Sequence, residues 1–172
     1  MKSFSGSATA SGVKSIGLDH DLSRFDCGVA SLNEWLKKRA LKNEKVRASR
    51  TYVVADGASV IGYYCLAAGA VALRDAPRGL TRNMPDPIPV MVLGRLAIDL
   101  LYQHQGLGKA LLFDAVMRTL QAGEIAGVTA LLVHALSDEA RRFYLSCGFR
   151  PSPIQAMTLC LRLADVNVAM AG

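Results

Sequence analysis

The 172-residue sequence lacks most features that anchor, export or cross-link a protein. No apolar run reaches the ~20 residues needed to span a bilayer, and the opening residues contain no apolar segment typical of a secretory signal. The four cysteines are scattered, without a Cys-x-x-Cys pair or a histidine at metal-ligand spacing, which favours reduced structural thiols over disulfides or zinc. We therefore expect a cytoplasmic protein that uses neither a membrane nor a metal.

The chain does contain enough apolar material for one packed domain. Hydrophobic residues make up 51% of it, which is typical of a globular enzyme. We predict a flexible tail over residues 1–15 and a single domain over residues 16–172. The net charge of +6 points to an acidic partner such as RNA, provided that the basic residues cluster.

The first half of the chain predicts a helix followed by a hairpin. Ser31 and Glu34 have the spacing of a capping box, and the apolar residues after them repeat at helical spacing. Two β-rich runs flank Asp56-Gly57, a typical hairpin turn. A proline-rich connection over residues 74–89 follows, and connections of this length are usually functional or mobile.

The second half alternates apolar strands with helices. Residues 90–98 are almost continuously apolar, which is typical of a strand covered on both faces. After a loop and a helix come a buried strand over residues 128–136 and a short helix, capped by Ser137 or Asp138 and ended by Gly148. A last apolar strand is expected to close the sheet. The pattern predicts a mixed α/β sheet with helices packed on it.

The stretch LLYQHQGLGKALL, residues 100–112, has the composition of a phosphate-binding loop. It departs from a Walker loop, because Gln103 and Ala110 stand where that loop needs Gly and Ser or Thr. It departs from a dinucleotide-binding loop, because Leu111 stands where the third glycine is needed. What remains is Gln-x-x-Gly-x-Gly, ending at Gly108, whose glycines let backbone amides at a helix N-terminus face a phosphate.

This motif resembles the acetyl-CoA loop of the GNAT N-acetyltransferase superfamily. The resemblance implies the family's α/β fold: a central, mostly antiparallel sheet, flanked by helices and splayed at the strand before the loop. It also implies that loop amides bind the pyrophosphate and that strand amides hold the pantetheine arm and the thioester carbonyl. Lys109 either adds charge or is solvated. The implied cofactor-binding residues of strand and loop are Leu96, Ala97, Ile98, Gln103, His104, Gln105, Gly106, Leu107, Gly108 and Lys109.

A second motif, SDEARRFYLSCGFRP, resembles the GNAT helix that carries the catalytic tyrosine. In the family this tyrosine protonates the departing thiolate, which implies that role for Tyr144. A phenol is protonated at neutral pH and can donate to a thiolate. Packing in the core is the alternative for Tyr144. Phe143 is counted with the cofactor site, and packing is the alternative there too.

A closer resemblance covers most of the chain, roughly from His20 to Leu163. Six segments look like those of the TacT-type toxins of bacterial toxin–antitoxin pairs, a GNAT branch that acetylates the α-amino group of aminoacyl-tRNA and so blocks translation. The resemblance implies a ribbon-helix-helix antitoxin that binds operator DNA together with the toxin, and a homodimer. The segments are FDCGVASLNEWLKKRALKN, VIGYYCLAAGAV, RNMPDPIPVMVLGRLAID, GLGKALLFDA, ALLVHAL and FYLSCGF.

A charged-tRNA substrate agrees with the chemistry of the residues. An α-amine has a pKa of ~7.7–8, so a useful fraction is neutral at pH 7 without a strong general base. His134 is more readily a core or edge histidine than a base. Arg95 is unusual inside a buried strand, and we expect it to reach the cofactor or the partner. Basic residues that could track phosphates, or could simply be solvated, are Lys37, Lys38, Arg39, Lys42, Lys45, Arg74, Arg78 and Arg82.

Two alternatives remain open on the sequence. The first keeps the acetyltransferase and changes the acceptor to a protein N-terminus or a small amine. The second is a CoA-responsive interaction module without turnover, against which the intact loop motif and Tyr144 speak.

Overall fold

The computed structural model describes residues 12–166, so the predicted tail over residues 1–15 lies largely outside the described residues. The strands are β1 (Lys14–Ser15), β2 (Arg50–Asp56), β3 (Ser59–Val71), β4 (Ile88–Ile98), β5 (Ala130–His134), β6 (Arg150–Pro151) and β7 (Thr158–Arg162). The α-helices are α1 (Ala30–Lys38), α2 (Ala40–Lys45), α3 (Arg78–Thr81), α4 (Leu107–Ile125) and α5 (Asp138–Ser146), and 3-10 turns cover Leu73–Asp75, Leu100–Tyr102 and Leu163–Asp165.

The strands form one mixed sheet in the order β1-β2-β3-β4-β5-β7-β6. β4 and β5 are parallel, whereas β1–β2, β2–β3, β5–β7 and β6–β7 are antiparallel. The predicted mixed, mostly antiparallel sheet with flanking helices is confirmed. The expectation that the last apolar strand closes the sheet is wrong, because β6 lies outside β7. With only Arg150 and Pro151, β6 is too short to produce an alternating pattern.

The predicted hairpin and the strand after the proline-rich connection are both present, with one correction. The hairpin turns at Gly57 and Ala58, between the paired residues Asp56 and Ser59. Gly57 has a φ of +64°, which glycine adopts without strain. β4 is less covered than its apolar sequence suggested, because its buried residues alternate with half-buried ones and Gly94 is exposed.

Two compact units divide the chain. The first comprises the described residues up to Ala67 together with Arg95–Ala115, and the second comprises Ala68–Gly94 together with the described residues from Val116 onward. Since β3, β4 and α4 each contribute residues to both units, the division does not follow the boundaries of the helices and strands. That residues 16–172 form a single domain stays a prediction.

The core of the first unit is built around aromatic side chains. The rings of Trp35 and Tyr63 are stacked with centroids 5.9 Å apart, and Phe25 meets Tyr63 edge-on at 5.5 Å. The Tyr63 hydroxyl donates a hydrogen bond of 2.7 Å to the carbonyl of Leu32. These contacts fasten the buried face of α1, formed by Leu32, Trp35 and Leu36, to β3, and burial of each such side chain contributes about 1.5–3 kcal/mol.

The start of α1 differs from the predicted capping box. The helix begins at Ala30, and Val29 at the N-cap position makes no side-chain hydrogen bond, so Ser31 lies inside the first turn. The loop before the helix is instead held by Asn33, which accepts a hydrogen bond from the Cys27 amide and donates one to the Asp26 carboxylate, both 2.9 Å long. Asn33 thus ties the preceding loop to the first turn of α1, while the helix start itself has no side-chain cap.

The second unit has an aliphatic core. Ile88 and Val90 of β4 pack in one cluster with Ala130 and Leu132 of β5 and with Cys160 of β7. The four cysteines of the described chain are free, and Cys27, Cys65 and Cys160 are buried. Burial raises the pKa of Cys160 to about 12, so this thiol stays protonated and unreactive at neutral pH, as the predicted structural role requires.

Candidate active site

The glycine loop begins directly after β4, where Asp99 organises the chain. One Asp99 carboxylate oxygen accepts from the Leu101 amide at 3.0 Å and the other accepts from the Asp26 amide at 3.0 Å. The Leu100 amide donates in turn to the Asp26 carbonyl at 2.8 Å. Asp99 is only 8% exposed, so its carboxylate needs these amide donors in place of water. The same contacts hold the 3-10 turn that follows.

Gln103, the first residue of the motif, stabilises the loop with its side chain. Its Nε2 atom donates to the carbonyl of Ile98 at 2.8 Å and to the carbonyl of Cys27 at 3.1 Å. The side chain therefore ties the end of β4 to the segment before α1. Both contacts of the Gln103 side chain are therefore structural, and its predicted part in cofactor binding stays a prediction.

The loop turns through left-handed backbone conformations into α4. His104 has a φ of +62° and Gly106 a φ of +82°, and α4 begins at Leu107. The Ala110 amide donates to the Gly106 carbonyl at 3.1 Å, so the amides before Ala110 belong to the first helical turn, which has no preceding carbonyls to bond. Free amides and the helix dipole at such an N-terminus are suited to an anion, and that this loop binds the pyrophosphate stays a prediction.

β4 leads into this loop beyond the point where it pairs with β5. Their register runs from Val90 with Ala130 to Leu93 with Val133, and β4 continues to Ile98. This is the position at which the sheet is expected to splay. Of the predicted thioester-binding residues, Ala97 is 5% exposed and packs in the aromatic core, whereas Leu96 and Ile98 are half-buried.

A side chain at Gly62 would crowd the packing between β3, the end of β4 and α4. A Cβ atom there would lie 3.0 Å from Ile98 Cδ1, 3.1 Å from Leu111 Cδ1 and 3.2 Å from Val54 Cγ1. Contacts this short would make these side chains shift by a few tenths of an ångström. Gly62 therefore permits close packing against the residues that flank the loop, although it lies outside every motif in the sequence.

Tyr144 lies in the second unit, on α5. Ser137 caps this helix by accepting from the Ala140 amide, and Gly148 ends it with a φ of +94°, both as predicted. The Tyr144 ring contacts Phe143 at 5.2 Å and Phe149 at 5.3 Å between centroids. Burial, reinforced by the neighbouring Cys147 thiol, raises the pKa of the phenol above its usual value.

The predicted RNA-binding residues fall into two groups. Five lie on or between α1 and α2 in the first unit and are exposed: Lys37, Lys38, Arg39, Lys42 and Lys45. Lys38 also pairs with Glu34 at 3.6 Å. Arg74, Arg78 and Arg82 are exposed in the second unit. His134 makes a 2.9 Å hydrogen bond to Thr158, which agrees with the edge histidine that the sequence favoured.

Two features of the site were missed by sequence reasoning. The first is the brace of Asp26 and Asp99; an aspartate directly after a strand and before a short turn is a common helix-capping signal. The second is the contact between Arg95 and Trp35, in which the guanidinium carbon lies 4.4 Å from the ring centroid. No sequence pattern connects these two residues, because they meet only when α1 packs on the sheet.

Comparison with known families identifies the fold. The acetyltransferase (GNAT) domain matches residues 47–151, which include both the glycine loop and the α5 motif. The chain belongs to the GNAT acetyltransferase family. It is accordingly an acetyl-CoA-dependent N-acetyltransferase.

Curated relatives of this GNAT enzyme are toxins. The chain is 47% identical to a tRNA-acetylating toxin of Mycobacterium tuberculosis (strain ATCC 25618 / H37Rv) over 147 residues, which cover 86% of this chain and 89% of the relative. It is 30% identical to a probable toxin TacT of Sinorhizobium fredii (strain NBRC 101917 / NGR234) over 162 residues, covering 88% and 90% of the two chains. The TacT-type resemblance is thereby confirmed.

Solved structures of related toxins agree with this family assignment. A Tyr-to-Phe mutant of KacT superposes with a TM-score of 0.87 at 26% identity, covering 93% of this chain and 98% of that one. AtaT complexed with acetyl-methionyl-tRNAfMet superposes with a TM-score of 0.85 at 29% identity, covering 92% and 98%.

Two further findings describe the enzyme between residues 12 and 166. In that range no three His, Cys, Asp or Glu side chains are grouped so as to hold a metal ion. None of the helices in the same range is long and apolar enough to cross a membrane.

Proposed function

We propose that this enzyme is a toxin that transfers the acetyl group of acetyl-CoA to the α-amino group of aminoacyl-tRNA and thereby blocks translation. The observation that carries the proposal is the 47% identity to a tRNA-acetylating toxin over most of both chains. The AtaT structure that holds acetyl-methionyl-tRNAfMet supports the same acceptor. The glycine loop, the α5 motif and the exposed basic face of α1 and α2 are all present for such a reaction.

Acetyl-CoA is bound by the loop between β4 and α4 in this proposal. The amides of residues 103–109 face the pyrophosphate at the helix N-terminus, while Gln103 and Asp99 hold the loop in place. A structure of the related AtaTR bound with acetyl-CoA supports this cosubstrate. The amides of Leu96, Ala97 and Ile98 hold the pantetheine arm and the thioester carbonyl, and their dipoles stabilise the oxyanion as it develops.

The chemical step is direct attack by the aminoacyl nitrogen on the thioester carbon. The tetrahedral intermediate collapses with cleavage of the carbon–sulfur bond, and the Tyr144 hydroxyl gives its proton to the leaving sulfur. The new amide nitrogen loses a proton to solvent, and the Tyr144 phenolate takes a proton back from solvent. The raised pKa of the buried phenol keeps it protonated before each turnover. A neutral α-amine is available near pH 8, so the reaction requires no dedicated general base.

Mass spectrometry of charged tRNA, incubated with the enzyme and isotope-labelled acetyl-CoA, tests this function. We expect the label on the aminoacyl α-nitrogen, and we expect no label on uncharged tRNA. In a bacterial lysate, prior RNase treatment should abolish most acceptor labelling. Labelling that survives RNase and resides on protein N-termini or small amines would contradict the proposal and favour a different acceptor.

The toxin is also proposed to act with partners in the cytoplasm, where charged tRNA is found. AtaT has been solved with the C-terminus of its antitoxin AtaR, and the AtaT–AtaR complex has been solved with bound DNA. By this relationship we propose a ribbon-helix-helix antitoxin that neutralises the toxin and binds operator DNA with it, and a homodimeric toxin. Co-expression with a candidate ribbon-helix-helix antitoxin, followed by size-exclusion chromatography and an operator gel-shift, tests both.

A further inference from the structure

Arg95 carries a positive charge into the interior of the first unit without a matching negative charge. It lies within β4 and is half-buried, and its guanidinium is stacked on Trp35, 4.4 Å from the ring centroid. Among the described residues, no carboxylate or hydrogen-bond acceptor contacts it. A cation–π contact satisfies the charge only in part and uses none of the five N–H donors.

Other half-buried arginines of the described chain are compensated. Arg50 lies 3.4 Å from the Glu44 carboxylate, and Arg141 donates to the carbonyl of Ala156 at 2.7 Å. Folding thus provides acceptors for arginines that serve structure. Arg95 differs, because its ring contact orients the planar guanidinium while its donors stay available for a ligand.

The position of Arg95 points to the acceptor substrate. It immediately precedes Leu96, whose amide belongs to the proposed thioester-binding strand. Side chains alternate along a strand, so Arg95 lies on the same face of the sheet as Ala97, which packs with Trp35 in the core beneath α1. The outer face of α1 carries the exposed Lys37. Arg95 is therefore placed between the proposed reacting carbonyl and a basic helix.

We propose that Arg95 is a positioning residue that binds a phosphodiester at the 3′ end of the acceptor RNA, next to the amino acid that is acetylated. This rests on the proposed function. The carboxyl group of an aminoacyl-tRNA is esterified and uncharged, so the anions nearest its α-amine are the phosphodiesters of the terminal nucleotides. A guanidinium held flat by an indole matches the bidentate geometry of a phosphate. Holding that phosphate fixes where the amine lies relative to the thioester.

The test compares two acceptors that differ in phosphate. Aminoacyl-tRNA has the terminal phosphodiesters, whereas aminoacyl-adenosine has the same amine and ester without any. Arg95→Gln removes the charge and keeps the first three side-chain carbons and a polar end, and Arg24→Gln, at an exposed position, is the matched control. For Arg95→Gln we expect KM for aminoacyl-tRNA to rise about ten- to hundredfold, with little change for aminoacyl-adenosine.

Two further readouts separate positioning from folding. Acetyl-CoA affinity, measured by calorimetry, should be unchanged in Arg95→Gln. The slope of log affinity for tRNA against log salt should fall by about one in Arg95→Gln. Arg95→Lys keeps the charge but lacks the planar guanidinium, so it should restore this slope and reverse only part of the increase in KM.

The remaining outcomes contradict either the phosphate contact of Arg95 or the proposed function. Equal losses on aminoacyl-tRNA and aminoacyl-adenosine would overturn the phosphate contact, and so would an unchanged KM and salt slope. If the wild-type enzyme acetylates neither acceptor yet releases CoA with another amine, the proposed function fails. In that case filter binding of uncharged tRNA still decides whether Arg95 contacts phosphate.

Discussion

Tyr144 has the environment of a proton donor, because burial raises the pKa of its phenol and keeps it protonated at neutral pH. Its ring is buried between Phe143 and Phe149, and the backbone carbonyl of Tyr144 accepts from the Phe149 amide at 3.1 Å. Removing only the hydroxyl leaves these contacts intact. Any loss of activity in Tyr144→Phe therefore reports on the proton, whereas truncation to alanine would also leave a cavity.

We expect Tyr144→Phe to lower kcat about a hundredfold or more, which is the usual contribution of general acid catalysis. Acetyl-CoA affinity and the melting temperature should stay close to those of the wild type. Thiol release with charged tRNA measures the first quantity, and calorimetry measures the other two. Tyr52→Phe, on β2, is the control that loses a hydroxyl elsewhere and should retain turnover. Full acetylation of charged tRNA by Tyr144→Phe would rule out the proton transfer.

The same residue sets an expectation for the pH profile. Burial raises the pKa of Tyr144, so its proton stays in place as the pH rises through 8 and 9. The aminoacyl α-amine, with a pKa of ~7.7–8, must lose its proton to attack. The rate should therefore increase up to about pH 8 and then level off. A decline between pH 8 and 9 in a stable enzyme would mean that the general acid loses its proton there, which the raised pKa of Tyr144 does not allow, and would point to a different donor.

At the scale of elements, the two glycines of the loop between β4 and α4 have different structural roles. Gly106 has a φ of +82° and open space where a Cβ would be, so the conformation alone demands glycine. Gly108 lies inside α4, and a Cβ there would meet only Ile98 Cγ1, at 3.8 Å. An alanine fits at Gly108 without displacing anything.

We expect Gly106→Ala to reduce the free energy of unfolding by about 1–2 kcal/mol, because an alanine is strained in the left-handed region, and to weaken acetyl-CoA binding. Gly108→Ala should be as stable as the wild type or slightly more stable, since alanine favours a helix interior. Urea unfolding and calorimetry with acetyl-CoA measure both variants. Equal destabilisation by the two substitutions would contradict this division of roles.

On the scale of the whole molecule, the net charge of +6 matters where the charges are exposed together. Lys37→Glu and Lys42→Glu, at exposed positions of α1 and α2, should each weaken tRNA binding and lower its salt slope, with stability changed by about 0.5 kcal/mol or less. Lys14→Glu, also exposed, is the control. Lys38 is less suitable because it pairs with Glu34. Filter binding that is insensitive to Lys37 and Lys42 would leave them as solvated residues.

Much of the fold could be predicted because its signals are local. The hairpin at Gly57, the cap at Ser137 and the end of α5 at Gly148 each depend on residues adjacent in the sequence. The capping box at Ser31 failed for the opposite reason. The helix starts one residue before Ser31, and the loop in front of it is held by Asn33 bonds to Cys27 and Asp26, which the spacing of Ser31 and Glu34 does not reveal.

Local motifs identified the candidate site, but its supporting contacts are not local. The resemblance of the glycine motif to the GNAT loop was enough to predict an acetyl-CoA loop, whereas the partners of Gln103 lie at Ile98 and Cys27. Glycine is favoured at position 62 because Ile98 and Leu111 pack closely on it. The roles of Tyr144 and of the strand amides stay predictions. The type of a residue shows what chemistry it can do, but its role in catalysis must be measured.

The sequence by itself determined the family and the chemistry of the loop, because the turn, the helix start and the exclusion of other phosphate loops depend on a few consecutive residues. Only the tertiary structure decided how that loop is braced and where uncompensated charge lies. Asp26 meets Asp99, and Arg95 meets Trp35, across 73 and 60 positions of the chain. Such pairs form when α1 and the segment before it close on the sheet, and no local preference of either partner encodes them.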